Sequence, residues 1–309
     1  MKKAIVTGAN GFLGRFLVRE LVANNIDVFA VARKDANWSS LNDLHVSQIE
    51  CDLSKISDLP DLISERDIDC IFHLAWQGVS NSDVKNDNIQ LQNIKATLDL
   101  IESAFRMHIG TFLAAGSIHE FEVKVEMSSN VPVTNLGNMY KTAKLAAHWM
   151  GKAKAGGYQI RFLWPLIINA YGEQENSARL INSFIRKILD NESPELSLGE
   201  QMYDFVHVSD VARALYLIAE KGIDGKDYVI GSGSARSLRD FLLEAGDIVN
   251  EIKGGEKISL GFGKQKGTVI SLPMEAFDIT SLVHDTGFEP SITFQEGIRR
   301  TVDWIITEG

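Results

Sequence analysis

Tyr140 and Lys144 stand four apart in the run NMYKTAKLAAHW, so a helix places both side chains on one face. A free phenol titrates near pH ~10, too high for efficient proton exchange at neutral pH, and a neighbouring ammonium lowers that value. The pair is a candidate proton donor with its tuner. Upstream, AAGSIHEF ends a strand-like run with Ser117, whose hydroxyl could orient a substrate oxygen beside Tyr140. The chain opens on a third feature. In KKAIVTGANGFLGRFLVREL, Gly8, Gly11 and Gly14 follow one strand-like run and lead into a helical one. Gly8 permits a tight turn, Gly11 lets a phosphate approach the backbone, and Gly14 lets helix and strand pack closely. A pyrophosphate would then meet the helix N-terminus, where free N–H groups and the dipole favour an anion. The second strand-like run ends VFAVARK. Arg33 and Lys34 stand where an acid binds the ribose 2′-hydroxyl of NAD, and an arginine there suits the 2′-phosphate of NADP. NADP(H) is the expected cofactor, with NAD(H) as the alternative. An oxidised nicotinamide would add to the effect of Lys144 on the phenol, and Lys144 could also bond the nicotinamide ribose.

These residues need a scaffold that presents strand ends and helix starts together. Strand-like runs fall near 3–7, 27–32, 46–50, 69–74, 110–115 and 159–164, separated by helical stretches near 12–24, 56–65, 88–107 and 138–154. Such alternation predicts an α/β protein with a Rossmann-type doubly wound parallel sheet. After about residue 169 the rhythm loosens. A helix-prone stretch (176–191), the strand-like EPELSL, the strand-and-helix run 204–220, the strand 228–233 and a glycine-rich segment 253–267 follow. An amphipathic helix near 294–306 carries Ile298, Val302 and Ile305 on one stripe. The reading is a dinucleotide-binding domain of 1–168 plus about 202–232. A smaller interleaved α/β substrate domain would take about 169–201 plus 233–309.

The 309 residues carry 31 Lys and Arg against 41 Asp and Glu, a net charge of −10, which argues against a nucleic-acid footprint. Cys51 and Cys70 form no close pair, so neither a metal site nor a disulfide framework is expected, and both read as small core residues. No signal peptide is evident, and no apolar run approaches the ~20 residues of a membrane helix. The expectation is a cytoplasmic chain that engages neither membrane nor nucleic acid.

In their order, these pieces resemble the extended short-chain dehydrogenase/reductase family, its nucleotide-sugar epimerase/dehydratase group, over nearly the whole chain. TGANGFLG (7–14) matches TGxxGFxG, CDLS (51–54) matches D-[LV]-[TS], and HLAW (73–76) is similar to HLAA. QNIKAT (92–97) resembles NxxGT, and Tyr140 and Lys144 take the YxxxK positions. NAYGEQ (169–174) resembles NVYGPGQ, DFVHVSDVARAL (204–215) resembles RDFxHVxDVAxAx, and YVIGSGSARSLRDF (228–241) resembles YNIGSGxxxSxxEL. The resemblance implies that Gly8, Asn10, Gly11, Phe12, Leu13 and Gly14 hold the cofactor, with Asp52 on the adenine amine and Leu53 beside it. Leu74, Ala75, Trp76 and Ile167 would line the cofactor, and a buried Asn93 would support it. Asn169 would lie near a sugar diphosphate. ARLINSFI (178–185) resembles KLIPxFI, which makes Arg179 and Leu180 substrate contacts. ELSL (195–198) is similar to the strand at the nucleobase, implicating Leu196. A homodimer through the helices near 88–107 and 138–154 is implied as well.

Departures from the pattern bear on the substrate. Tyr203 replaces an arginine that often grips the diphosphate, and the later arginine has no counterpart unless Lys264 or Lys266 substitutes. Phe121 replaces the tyrosine after the catalytic serine, and Pro165 and Leu166 occupy a region that usually carries an arginine. Dehydratases of the family carry Thr-Asp-Glu where this chain has Ser117, Ile118 and His119, and Ile118 cannot exchange protons. The expected activity is therefore NADPH-dependent reduction of a nucleotide-activated 4-keto-6-deoxysugar, with Tyr140 as proton donor, Ser117 holding the oxygen and Lys144 tuning the phenol. The alternatives are an NAD-dependent nucleotide-sugar 4-epimerase and a non-catalytic nucleotide sensor. His119 is read as shaping the pocket or bonding the sugar, with an extra acid/base role as the alternative. His73 and His207 are read as structural. Trp76 and Trp164 either border the nicotinamide pocket or pack the core.

Overall fold

The computed structural model describes residues 1–79, 81–128, 138–265 and 272–308. In chain order its elements are β1 (Lys3–Thr7), α1 (Phe12–Ala23), β2 (Asp27–Ala32), β3 (Ser47–Glu50), α2 (Leu59–Leu62), β4 (Cys70–His73), α3 (Asp87–Arg106), β5 (Thr111–Ala114), β6 (Gly116–Ser117), α4 (His119–Ser128), α5 (Asn138–Gly157), β7 (Arg161–Leu163) and β8 (Leu166–Ile167). They continue as β9 (Asn169–Tyr171), α6 (Leu180–Leu189), β10 (Glu195–Leu196), β11 (Met202–Tyr203), β12 (Phe205–His207), α7 (Val208–Lys221), β13 (Val229–Ile230), β14 (Arg236–Ser237), α8 (Leu238–Lys253), β15 (Gly261–Phe262), α9 (Thr280–Thr286) and α10 (Phe294–Thr307).

Six parallel strands form a sheet in the order β3-β2-β1-β4-β5-β7. The winding reverses between β1 and β4, which opens a crevice beyond their carboxyl ends, where doubly wound sheets take ligands. Ala4, Ile5 and Val6 are fully buried, as strands covered on both faces must be. Gly14, Leu17, Val18 and Leu21 form the buried stripe of α1. A second parallel set, β13-β8-β6, pairs Ser117 with Ile167. The helix expected near 56–65 is a 3-10 segment, Leu53–Asp58, followed by the single turn α2. Pro60 supplies no backbone N–H, and Lys55 leaves helical geometry at φ −122° and ψ 17°.

The chain divides into two units. The first comprises Met1–Ile167, Ala212–Ile230 and Thr280–Phe288; the second comprises Ile168–Val211, Gly231–Ile279 and Glu289–Gly309. Residues 202–211, expected with the nucleotide-binding domain, cluster with the second unit because β12 pairs in parallel with β9. Residues 280–288, expected with the substrate domain, cluster with the first. There the Tyr228 hydroxyl donates to Asp285 Oδ2 (2.8 Å) and Lys221 Nζ donates to Thr286 O (3.0 Å). The second unit has its own core, in which Ile298, Val302 and Ile305 of α10 pack with Phe184, Phe205 and Phe241. Its helix α8 begins where Ser237 Oγ accepts from Asp240 N (3.1 Å) and stops at Gly254, φ +69°. Among the described residues no helix is long and apolar enough to cross a membrane, and no group of His, Cys, Asp and Glu could hold a metal ion.

Candidate active site

The β1–α1 turn is closed up by its glycines. Gly8 has φ +71°, and a Cβ there would lie 2.8 Å from Ala75 N. A Cβ on Gly14 would lie 2.0 Å from Gly8 O, so α1 can approach the turn only with glycine at that position. Gly11 N donates to Gly8 O (3.0 Å), and Gly11 forms the N-cap of α1 with no side-chain cap. Helix N-termini of this kind favour an anion.

A groove of about 780 Å³ lies at this turn, within the first unit. Gly8, Asn10, Gly11, Arg33, Asp52, Leu53, Ala75 and Trp76 line it, as do Thr7 and Val31, which sit inside quoted runs, and Gln77, Gly78 and Val79, which follow HLAW. The other residues expected at the cofactor lie outside its lining, each for a visible reason. Gly14 packs beneath the turn. The Phe12 ring turns to Phe16 (6.2 Å), and Leu13 is half-buried. Lys34 is exposed. Leu74 N donates to Thr7 O (3.2 Å), and Ile167 is buried beside Ser117. Asn93, 2% exposed, commits its amide to the main chain of one residue: Gln77 N donates to Oδ1 (2.9 Å) and Nδ2 donates to Gln77 O (2.8 Å). It props the groove wall. At the far wall, Asp52 Oδ1 accepts from Ser54 N and Oγ, both at 2.9 Å. These bonds, with the nearby Arg33 charge, hold its carboxyl below the usual range. Arg33 is exposed at the end of β2. The glycine cradle and the uncapped helix start fit the pyrophosphate of a dinucleotide.

Trp76 joins the groove to the proposed chemistry. Its indole N–H donates to Gln90 Oε1 (3.0 Å), its ring lies edge-on to Tyr140 (6.2 Å, 86°), and Lys144 Nζ sits 3.7 Å from its centroid. Tyr140 and Lys144, side by side on α5, thus flank the groove at Trp76 and are not part of its lining. Lys144 is buried and donates to Ala115 O (2.8 Å). Burial pushes its ammonium down to about 7, against the supporting charge of Glu120. Ser117, 8% exposed, accepts from His119 N at 3.3 Å. Ile118 is buried. The His119 ring lies 6.3 Å from Tyr140, and its Nδ1 is 2.7 Å from Glu122 Oε1. His73 is internal. Thr97 Oγ1 donates to Asn93 O (2.9 Å) and so accepts from His73 Nε2 (3.2 Å), which leaves Nδ1 to accept from Thr7 Oγ1 (2.8 Å). Burial, with the Lys144 charge, lowers His73 to about 3, so it is neutral. Trp164 is a core residue at 1% exposure.

In the second unit, Asn169 Nδ2 donates to Asp204 O (3.0 Å). Arg179 is exposed at the N-cap of α6, its Nε 3.3 Å from Glu175 Oε2. Leu180 and Tyr203 are half-buried against the core, and Tyr203 rests 5.1 Å from the Phe205 ring. Leu196 packs in that core at 6% exposure. His207 is buried, with Nδ1 accepting from Ser209 N (3.3 Å). Lys264 is exposed, and Lys266 lies outside the described residues.

Residues 4–231 match the NAD dependent epimerase/dehydratase family. dTDP-glucose 4,6-dehydratase 1 of Escherichia coli (strain K12) is 25% identical over 338 residues, covering 99% of this chain and 93% of the relative. A solved UDP-N-acetylglucosamine 4-epimerase from Methanobrevibacter ruminantium M1, in complex with UDP-N-acetylmuramic acid, has a TM-score of 0.81 at 24% identity and covers 100% of this chain and 99% of its own. A Thermus thermophilus UDP-glucose 4-epimerase complex with NAD has a TM-score of 0.78 at 19% identity, covering 99% and 100%. The two solved structures share the fold.

Proposed function

The chain belongs to the NAD dependent epimerase/dehydratase family, and we propose that it uses NADPH to reduce the keto group of a nucleotide-activated 4-keto-6-deoxysugar. Arg33 carries this reading. It stands exposed at the rim of the groove, at the end of β2, where selection of NAD calls for a carboxylate. A guanidinium there favours the 2′-phosphate, and NADPH suits net reduction. Dehydration, the activity named for the Escherichia coli relative, is opposed by Ile118, an aliphatic side chain 4% exposed between Ser117 and His119.

When bound, the dinucleotide supplies the hydride that the carbonyl carbon accepts. Tyr140 donates its phenolic proton to the oxygen, which becomes the new hydroxyl. Ser117 donates a hydrogen bond to that oxygen and holds it beside Tyr140. Lys144 stabilises the phenolate left behind. Asp52 is assigned to the adenine amine. The second unit is assigned to the nucleotide diphosphate through Asn169, Arg179, Leu180 and Tyr203. The same reading has the chain acting in the cytoplasm as a homodimer.

The test follows absorbance at 340 nm with NADPH or NADH and a panel of nucleotide 4-keto-6-deoxysugars. One NADPH is expected to disappear per sugar reduced. Arg33→Ala should lower kcat/KM for NADPH by roughly ten- to a hundredfold and leave NADH little changed. Interconversion of a 4-hydroxyl epimer without net NADPH consumption would replace this reading with the NAD-dependent 4-epimerase, the activity named for the solved structures that share the fold.

A further inference from the structure

Glu120 is a fully buried carboxylate beside the proposed catalytic serine, and no motif accounts for it. Both of its oxygens are used inside the first unit. Oε1 accepts from the Ser117 backbone N–H (3.1 Å) and the Trp164 indole N–H (2.9 Å), and Oε2 accepts from His148 Nδ1 (2.9 Å). His148, 1% exposed, stands one turn after Lys144 on α5 and stacks on Trp164 (5.1 Å, 9°). Its other nitrogen, Nε2, lies 3.2 Å from Asp227 Oδ1, and the Asp227 carboxylate is 40% exposed. A carboxylate at each nitrogen leaves the imidazole no acceptor role, so both nitrogens donate and the ring is a cation.

The geometry points to an internal brace. We propose that Glu120, backed by His148 and Asp227, is a positioning residue that clamps the main chain at Ser117 and supplies the negative charge that keeps Lys144 an ammonium. The charges alternate from the surface inward: Asp227 negative, His148 positive, Glu120 negative, Lys144 positive. Phe162, Trp164 and Trp149 flank the imidazole, and Lys152 and Lys124 face the outer carboxylate. Among the described residues, Lys144 also meets Ala115 O, the Trp76 ring, the more distant Trp164 ring and neutral His73. Burial opposes the charge on His148, yet the two carboxylates hold it above the ordinary imidazole value. Burial disfavours the ammonium of Lys144 and a nearby fixed anion offsets that cost, while Glu120 is in turn buried and needs its own counter-charge.

The inference rests on Ser117 and Lys144 being the site groups proposed above, and its test uses neither substrate nor cofactor, so either reading can fail alone. The full chain, carrying carbon-13 at the lysine Cε positions, is titrated by NMR, with the Lys144 resonance assigned by its disappearance in Lys144→Met. A midpoint near 7 is expected for the unaltered chain. Glu120→Gln keeps an acceptor for Ser117 and Trp164 but removes the charge. It should lower the midpoint by roughly one unit or more while the Ser117 amide stays slow to exchange. An unmoved Lys144 midpoint overturns the proposal. If Glu120→Gln does not fold, Asp227→Asn, at the exposed end, is read at the His148 Cε1 resonance. A fall of roughly one unit in the imidazole midpoint supports the brace, and an unchanged midpoint overturns it.

Discussion

Lys144 and Tyr140 show how burial and neighbours set the chemistry of single residues. An exposed lysine keeps its proton to about pH 10.4, whereas Lys144, sealed under Trp76 and Trp164, holds it only to about 7. The lowered folded value fixes two signs. As pH rises through about 7 the folded chain loses the ammonium, so kcat/KM, which reports the free enzyme, should decline on that limb. Between about 7 and ~10.4 the unfolded chain binds the extra proton, so this one group adds stability as pH rises. Activity and stability should therefore diverge. Lys144→Met is expected to abolish turnover and, by removing a buried charge, to raise the melting temperature at pH 7. A fall in melting temperature would show that the bond to Ala115 O and the contact with Trp76 outweigh the cost of burial. Tyr140→Phe removes the phenolic hydroxyl and should lower kcat by roughly 10²- to 10⁴-fold with the fold intact, as read by circular dichroism.

At the scale of elements, the groove depends on how closely its walls approach. α1 reaches the β1 turn because Gly14 presents no Cβ to Gly8 O. Gly14→Ala must push the helix away, and we expect a lower melting temperature together with loss of NADPH binding in calorimetry. The wall after β4 is held differently, by the two bonds of Asn93 to the Gln77 main chain. Asn93→Ala should cost about 1 kcal/mol in denaturant unfolding, because it removes both part-buried bonds to the Gln77 main chain, and should weaken NADPH binding without touching a cofactor contact. The strand-turn-helix signature was readable because its parts are neighbours in sequence. The role of Asn93 was only half readable: its burial follows from the pattern, but the residue it holds does not. The segment after Asp52 misled because its apolar spacing suits a helix, while Pro60 and the kink at Lys55 confine it to short turns.

For the molecule as a whole, the net charge of −10 disfavours polyanions in general, yet the proposed ligands are polyanions. Local groups, Arg33 and the start of α1, must overcome the mean field. NADPH at a hundredfold excess over its Kd should stabilise the chain by about 2.7 kcal/mol, a shift of several degrees in a thermal melt. No shift would mean that the groove does not take the dinucleotide. Helices α3 and α5 leave Leu91, Phe105 and Trp149 exposed, which suits the proposed homodimer. Leu91→Glu with Trp149→Glu should give a monomer by light scattering, and an unchanged mass would place the contact elsewhere.

By itself, the sequence determined the alternation of strands and helices, the glycine turn, the YxxxK pair and the arginine after β2, because each is written in neighbouring residues whose local geometry follows from spacing. Tertiary structure alone decided which of these face the groove. It withdrew Lys34, Gly14 and Asn93 from its lining, set Lys144 upon Trp76, buried Leu196 in the second core, and gathered Glu120, His148 and Asp227 from three separate segments. The physical reason is that burial and charge pairing arise only where distant segments meet. A buried ion acquires its role from the partner it finds there, and no local pattern names that partner in advance.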